Sequence, residues 1–155
     1  MSKEFRDTSF HFEANDYFGL LAAIAPLDRC HNSAEMEQAY GLLFKHYKGS
    51  RLLKYELSET VNHWRLPPRW NCEFAELRDQ NGNLIASRNN KCLEVYSYSP
   101  SIDQWVSYEE LVAHLLTDSN RPESVIFHFR NQYRHWNPEW GFSIPYSVFM
   151  NSANS

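Results

Sequence analysis

The sequence predicts an α+β fold: an N-terminal helical pair followed by a mostly antiparallel β domain with one packed helix. Three observations predict it. Apolar residues recur at helical spacing up to about Gly49, and at strand spacing beyond Arg51. Helical and strand signals are segregated, not alternating as in a doubly wound parallel sheet. The chain has 155 residues, 43% of them apolar and 15% aromatic, which is enough to bury one core. The expected organisation is a helical segment over 1–50, a small β-rich domain over 51–148 and a disordered tail over 149–155.

Each element has a local reason. Tyr17, Leu20, Leu21 and Ile24 mark one face of a first helix, with Asn15 or Asp16 as cap and Pro26 as its stop. Asn32 followed by Glu35 reads as a capping box, and Met36, Tyr40, Leu43 and Tyr47 mark the second helix, closed by Gly49-Ser50. Leu53, Tyr55 and Leu57 alternate as a strand. Pro67-Pro68 starts an extended connector. Phe74 to Leu77 and Leu84 to Ala86 flank Asn81-Gly82, a tight-turn signal for a hairpin. Leu93, Val95 and Tyr98 suggest another strand, stopped by Pro100. Ser107 with Glu110 reads as a capping box before a helix carrying Leu111, Leu115 and Leu116. Val125, Phe127 and Phe129 alternate again, and Phe142, Ile144 and Val148 make the last extended stretch.

Composition excludes several function classes. The net charge is −4 and the basic residues are scattered, so no nucleic-acid footprint is visible. Phe18 to Leu27 is the longest apolar run, far short of a bilayer span. The polar start Met1 to Asp7 does not read as a signal peptide, and Cys30, Cys72 and Cys92 read as reduced thiols, so the expected location is cytoplasmic. No phosphate loop, nucleophile elbow or zinc-type His/Cys spacing occurs, and no metal or cofactor is expected.

The chemically interesting residues are few. Histidine is the side chain best suited to acid–base work near neutral pH, which makes His63, His114 and His135 the catalytic candidates. Each also has a plain structural reading: His63 at a strand end, His114 at the edge of a helix's apolar face, His135 in an aromatic loop. His128 alternates with Phe127 and Phe129 and so faces away from them. The stretch Phe127 to Phe142, with Arg130, Arg134 and Trp136, reads as a packed edge or as a platform for stacking a base or sugar. Trp64, Trp70, Tyr98 and Trp140 are the ligand-binding candidates.

Those tryptophans belong to an ordered string. Trp64-x-x-Pro67-x-x-Trp70 is followed by Leu77, Asp79 and Gly82, by Leu93-x-Val95-x-x-Tyr98-Ser99-Pro100, by Ser107-x-x-Glu110-Leu111-x-x-His114-Leu115-x-Thr117, and by Trp140-Gly141-Phe142. With Pro26-Leu27-Asp28-Arg29 before it, the string resembles the N-terminal helices and inserted small domain of bacterial zinc aminopeptidase-like proteins, a family of unknown function. The resemblance covers roughly Tyr17 to Tyr146. It implies a small domain that helps shape a substrate cleft, while zinc ligands lie in a remainder that follows the Trp-Gly-Phe mark. Departures occur at Asp28, Cys30, Glu59, His63 and Ser143, where the family tends to have Asn, Ser, Gly, Asp and Cys.

The resemblance implies a non-catalytic aminopeptidase-like accessory domain that binds a partner protein or a small amino-acid-like ligand. Whether the chain itself is an enzyme is left open. The expected partners are a separately encoded peptidase-like chain or a second copy, with no nucleic acid and no membrane. The alternative is a small metal-independent enzyme acting on an amino-acid-derived metabolite through histidine chemistry. A third reading is a pure interaction module that docks through its helical pair.

Overall fold

The computed structural model describes residues 14–153, except 31, 48, 50, 54, 56–59 and 62. It is α+β. The helical pair is α1, Ala14–Ile24, and α2, Ala34–His46. Leu20 and Ile24 of α1 pack on Ala39 of α2, with Leu27, Leu42 and Leu43 around them. The second helix therefore turns Ala39, Leu42 and Leu43 inward, whereas Tyr40, expected on the apolar face, is exposed. The helix starts one residue later than the sequence suggests. Ser33, not Asn32, is the N-cap, and its Oγ accepts from the backbone N–H of Met36 at 3.0 Å. Asn32 instead adopts a left-handed conformation, φ +59°, and donates from its side chain to the carbonyl of Pro67.

Glu35 is thereby freed from capping and holds the two parts of the chain together. Its carboxylate accepts from the backbone N–H of Asp28 and from the Arg88 guanidinium at 2.5 Å. Asn71 adds a further tie, its side-chain oxygen accepting from the backbone N–H of Ala34 at 3.0 Å. The start of α2 is thus fixed to the 67–71 segment and to the β region at once.

The β region is built from short pairs. Strands β1, Thr60–Val61, and β2, Trp64–Arg65, form an antiparallel hairpin turned at His63, φ +69°. Strands β3, Glu76–Arg78, and β4, Leu84–Ser87, form a second. Its turn is built by Asp79, whose carboxylate accepts from the backbone N–H groups of Asn81 and Asn83, and by Gly82 at φ +83°. Helix α3, Tyr108–Ala113, is capped by Ser107, whose Oγ accepts from Glu110 N–H at 3.1 Å. It ends sooner than expected: Leu115–Leu116 form β5, which pairs in parallel with β6, Phe142–Ser143. The β domain therefore mixes both strand directions. The core beneath it comprises Ala86, Val95, Phe142 and Ile144, with Leu77, Ile85, Leu115, Val148 and Phe149 packed against it.

Several expected strands are not strands. Leu93 lies in a 3-10 turn, Cys92–Glu94, and Val95 makes a single bridge to Phe142. Leu53 and Tyr55 carry no strand, and Leu57, like Glu59, His31, His11 and Ser50, lies outside the described residues. Residues 124–129 have no ladder. Phe127 and Phe129 are exposed there, and His128 is the residue turned inward. Two helices lacked a sequence signal: α4, Arg130–Tyr133, and α5, Tyr146–Ala153. The second contains Val148, expected as extended, and residues 149–153, expected as disordered tail. Among the described residues no helix is long and apolar enough to cross a membrane.

The Arg88 side chain is only 13% exposed and Glu35 32% exposed, so solvent screens their pair weakly. Replacing Arg88 by Ala leaves a half-buried carboxylate with one partner fewer. We expect a loss of about 2 kcal/mol, the scale of a charged hydrogen bond. Urea unfolding of the R88A chain measures it, and a loss below a few tenths would mean that the junction carries no stability.

Candidate functional site

Trp70 follows the extended Pro67-Pro68 segment, and its indole is fixed from two sides. Nε1 donates to the carbonyl of Ser99 at 3.2 Å, and the ring stacks on Tyr98 at 5.9 Å and 28°. Tyr98 is buried, donates its hydroxyl to the carbonyl of Pro68 at 3.0 Å, and holds a left-handed backbone, φ +62°. Such a conformation costs a non-glycine residue energy and persists only where surrounding contacts over-determine it. Here the ring stack and the hydroxyl bond supply that constraint.

Trp140 is fixed in the same manner. Its ring stacks on His114 at 3.8 Å and 18°, and His114 Nδ1 lies 2.8 Å from the carbonyl of Trp140. A carbonyl only accepts, so Nδ1 carries the proton and Nε2 is left for any other role. The next residue has to be glycine. A Cβ on Gly141 would lie 2.3 Å from the Tyr96 ring and 2.6 Å from the carbonyl oxygen of His114. The close approach lets Tyr96 N–H donate to Gly141 O and Phe142 N–H donate to His114 O, each at 3.0 Å. Trp140-Gly141-Phe142 thus reads as cavity wall, close contact and core in succession.

Trp70 and Trp140 line one cavity of about 650 Å³, together with Glu73, Phe74, Glu76 and Asp103. A second cavity, of about 910 Å³, lies against the same wall of Phe74, Leu77 and Val106 and is flanked by Trp105 and Phe149. Of the other sequence candidates, Tyr98 backs Trp70 and His114 backs Trp140. His135 lies 6.4 Å from the Tyr98 ring and edge-on to Trp136. His63 is exposed at the β1–β2 turn. Trp64 is in β2, its side chain outside the described residues. The structure therefore places Trp70 and Trp140 on one cavity, with Tyr98 and His114 stacked on them outside its lining, and leaves His63 apart. Among the described residues no histidine lines either cavity.

Glu73, Phe74 and Asp103 escaped the sequence reading, as did Trp105, which is 83% exposed. Phe74 read only as part of a strand flanking the Asn81-Gly82 turn, and an acid beside an aromatic in a loop carries no periodic signal. Also missed was the parallel stack of His128 on Tyr96, at 3.7 Å and 3°. Burial lowers the His128 pKa, and its Nδ1 is a buried atom without a hydrogen-bond partner among the described residues.

Cys30, Cys72 and Cys92 are not joined in a disulfide. Burial pushes Cys30 up to about 12 and raises Cys72 and Cys92, so all three are protonated at neutral pH and poor nucleophiles. Among the described residues no group of three or more His, Cys, Asp or Glu side chains is placed to hold a metal ion.

A family model described as a domain of unknown function, DUF2172, matches residues 69–154. That span includes Trp70, Tyr98, Trp140 and every wall of the smaller cavity, but not the helical pair. A crystal structure described as that of a putative peptidase from Clostridium acetobutylicum has the same fold, with a TM-score of 0.75 at 20% identity. The likeness covers 88% of this chain and 31% of that one, so the chain spans less than a third of that protein's length. No curated protein matches the sequence.

Two outcomes follow from this geometry. Gly141→Ala forces Tyr96 and the His114 backbone apart, at a cost of about 1–3 kcal/mol, read as a lowered urea midpoint with the Trp140 environment altered in fluorescence. Tyr96 is raised to about 12, by burial and then by the charge of Glu139, and Tyr98 is raised too, chiefly by burial. Their folded pKa values exceed the unfolded ones, so the stability they contribute is full below the unfolded value and is lost as pH rises through the folded one. Two of the nine tyrosines should therefore ionise only as the chain unfolds in alkali. Phenolate absorbance and circular dichroism recorded on one titration would show the two events coinciding.

Proposed function

The chain belongs to the DUF2172 family, and from that premise we propose that it is a non-catalytic accessory domain of a peptidase-like protein, resembling the inserted small domain of zinc aminopeptidase-like proteins. Its task is to present the cleft between Trp70 and Trp140 to a small amino-acid-like ligand. The observation that carries the reading is the shared fold with under a third of a larger protein described as a peptidase. The cleft supports it, because rigidly backed aromatic walls with a few polar groups are what a small-molecule site needs.

The helical pair supplies the partner half of this reading. The inner face of α1 is spent on Ala39, yet Tyr17, Phe18 and Leu21 are 50%, 68% and 44% exposed on its other side. A helix that is apolar on both sides usually has something packed on each. A peptidase-like domain, encoded separately, is the partner this reading assigns to that face. The enzyme alternative needs two histidines and a carboxylate around one cavity, and His63, His114 and His135 do not meet in that way.

Calorimetric titration with Zn²⁺, run beside a peptidase assay on aminoacyl and dipeptide substrates, tests the proposal. The chain should bind zinc no tighter than micromolar and show no turnover. Stoichiometric tighter binding, or turnover abolished by His63→Ala, His114→Ala or His135→Ala, would overturn it.

A further inference from the structure

We infer that the stack of His128 on Tyr96 is a proton-operated latch: the neutral imidazole holds residues 125–129 against the β domain, and protonation of the ring lets that strap swing away. The inference is independent of the ligand reading above.

The strap has no ladder of its own and is pinned at a few points. Ser143 Oγ accepts from the backbone N–H of Ile126 at 2.9 Å and donates to its carbonyl at 2.6 Å. Downstream, the buried Asn131 side chain accepts from the N–H of Glu139 and donates to its carbonyl. Between these pins Phe127 and Phe129 are exposed, so His128 is the side chain that turns inward. Its ring lies flat on Tyr96, with centroids 3.7 Å apart and planes within 3° of parallel.

This arrangement suits a neutral ring and not a charged one. His128 Nδ1 is buried and has no hydrogen-bond partner among the described residues. In a neutral ring that nitrogen can be the bare one, with the proton on Nε2, and an unpaired acceptor is all that is lost. An imidazolium carries N–H groups on both nitrogens, so the same atom becomes a buried donor with nothing to donate to. Neighbouring charges do not reverse the balance. Burial is the largest influence and lowers the His128 pKa; Glu139 raises it, Arg130 lowers it, and the residue's own carbonyl adds the smallest upward pull. Glu139 is already engaged by Arg130 at 3.1 Å. The group facing the ring from across the stack is the Tyr96 phenol, which burial keeps protonated. With the folded pKa below the unfolded one, the strap's hold is full above the unfolded value and is lost progressively as pH falls from there to the folded one. Release bares the Tyr96 ring, now 6% exposed, whose edge abuts Gly141 beside the cavity residue Trp140.

Amide hydrogen exchange of the full chain tests the latch, read by mass spectrometry of peptides and corrected for the intrinsic pH dependence of exchange. It is run at about pH 7.5 and about pH 5.5, on either side of the ordinary histidine pKa. Protection over residues 124–130 should fall severalfold at the lower pH, up to the ceiling of about tenfold that an ordinary pKa of about 6.5 sets. Protection of α2 and of the β3–β4 hairpin should hold. His128→Phe keeps a ring for the stack and cannot take a proton, so its protection should be equal at both pH values. In the unsubstituted chain, the His128 ring protons followed by NMR should titrate below the ordinary value, and the Tyr96 ring signals should move with them. Unchanged protection in the unsubstituted chain, an equal fall over all segments, or a fall that persists in the H128F chain overturns the latch. A His128 that titrates at or above the ordinary value overturns it as well, and that measurement requires no variant to fold.

Discussion

At position 141 a side chain of any kind would overlap the Tyr96 ring and the carbonyl oxygen of His114. The absent Cβ allows three chain segments to close to hydrogen-bond distance: residue 96, the end of α3 and the Trp140–Phe142 run. From that contact the rest follows in sequence. Phe142 enters the core beside Val95 and Ile144, β6 pairs with β5, and Trp140 is left stacked on His114 at the cavity wall. The Trp140 wall of the cavity thus depends on how closely these three segments approach.

The second organising contact is electrostatic. Glu35 is shared between the Asp28 backbone and Arg88, with Ser33 taking over the capping role. Asp28 itself is buried, which raises its pKa, while Arg88 opposes the rise. A side chain that sequence assigns to local helix capping has been recruited for a long-range tie. The helical pair and the β region consequently meet through polar groups, with each keeping its own apolar cluster.

How far this was legible depends on the range of the interaction. Elements whose cause lies within four residues could be read: α1 with its stop at Pro26, the Asp79-to-Gly82 turn, and the Ser107 cap. Elements whose cause is distant could not. Leu115–Leu116 look helical by period, yet they are captured as a strand by Phe142–Ser143. Phe127 and Phe129 look like a strand's buried face, yet the Tyr96 ring selects His128 for the inside. At the cavity, Trp70 and Trp140 stood out by residue type, because large aromatics are rarely placed idly. Glu73 and Asp103 did not, since only the tertiary fold brings them to one cavity.

The β5–β6 pair also has a bearing on how the molecule is made. It joins Leu115 to Phe142, 27 positions apart, and the His114–Trp140 contact spans 26 positions. Closing so long a loop costs entropy before any contact rewards it, so this pairing belongs to the slow part of assembly. During synthesis the N-terminal helices and the Asp79 turn can form as they emerge. The tryptophan-walled hollow cannot exist until the Trp140–Phe142 run has left the ribosome.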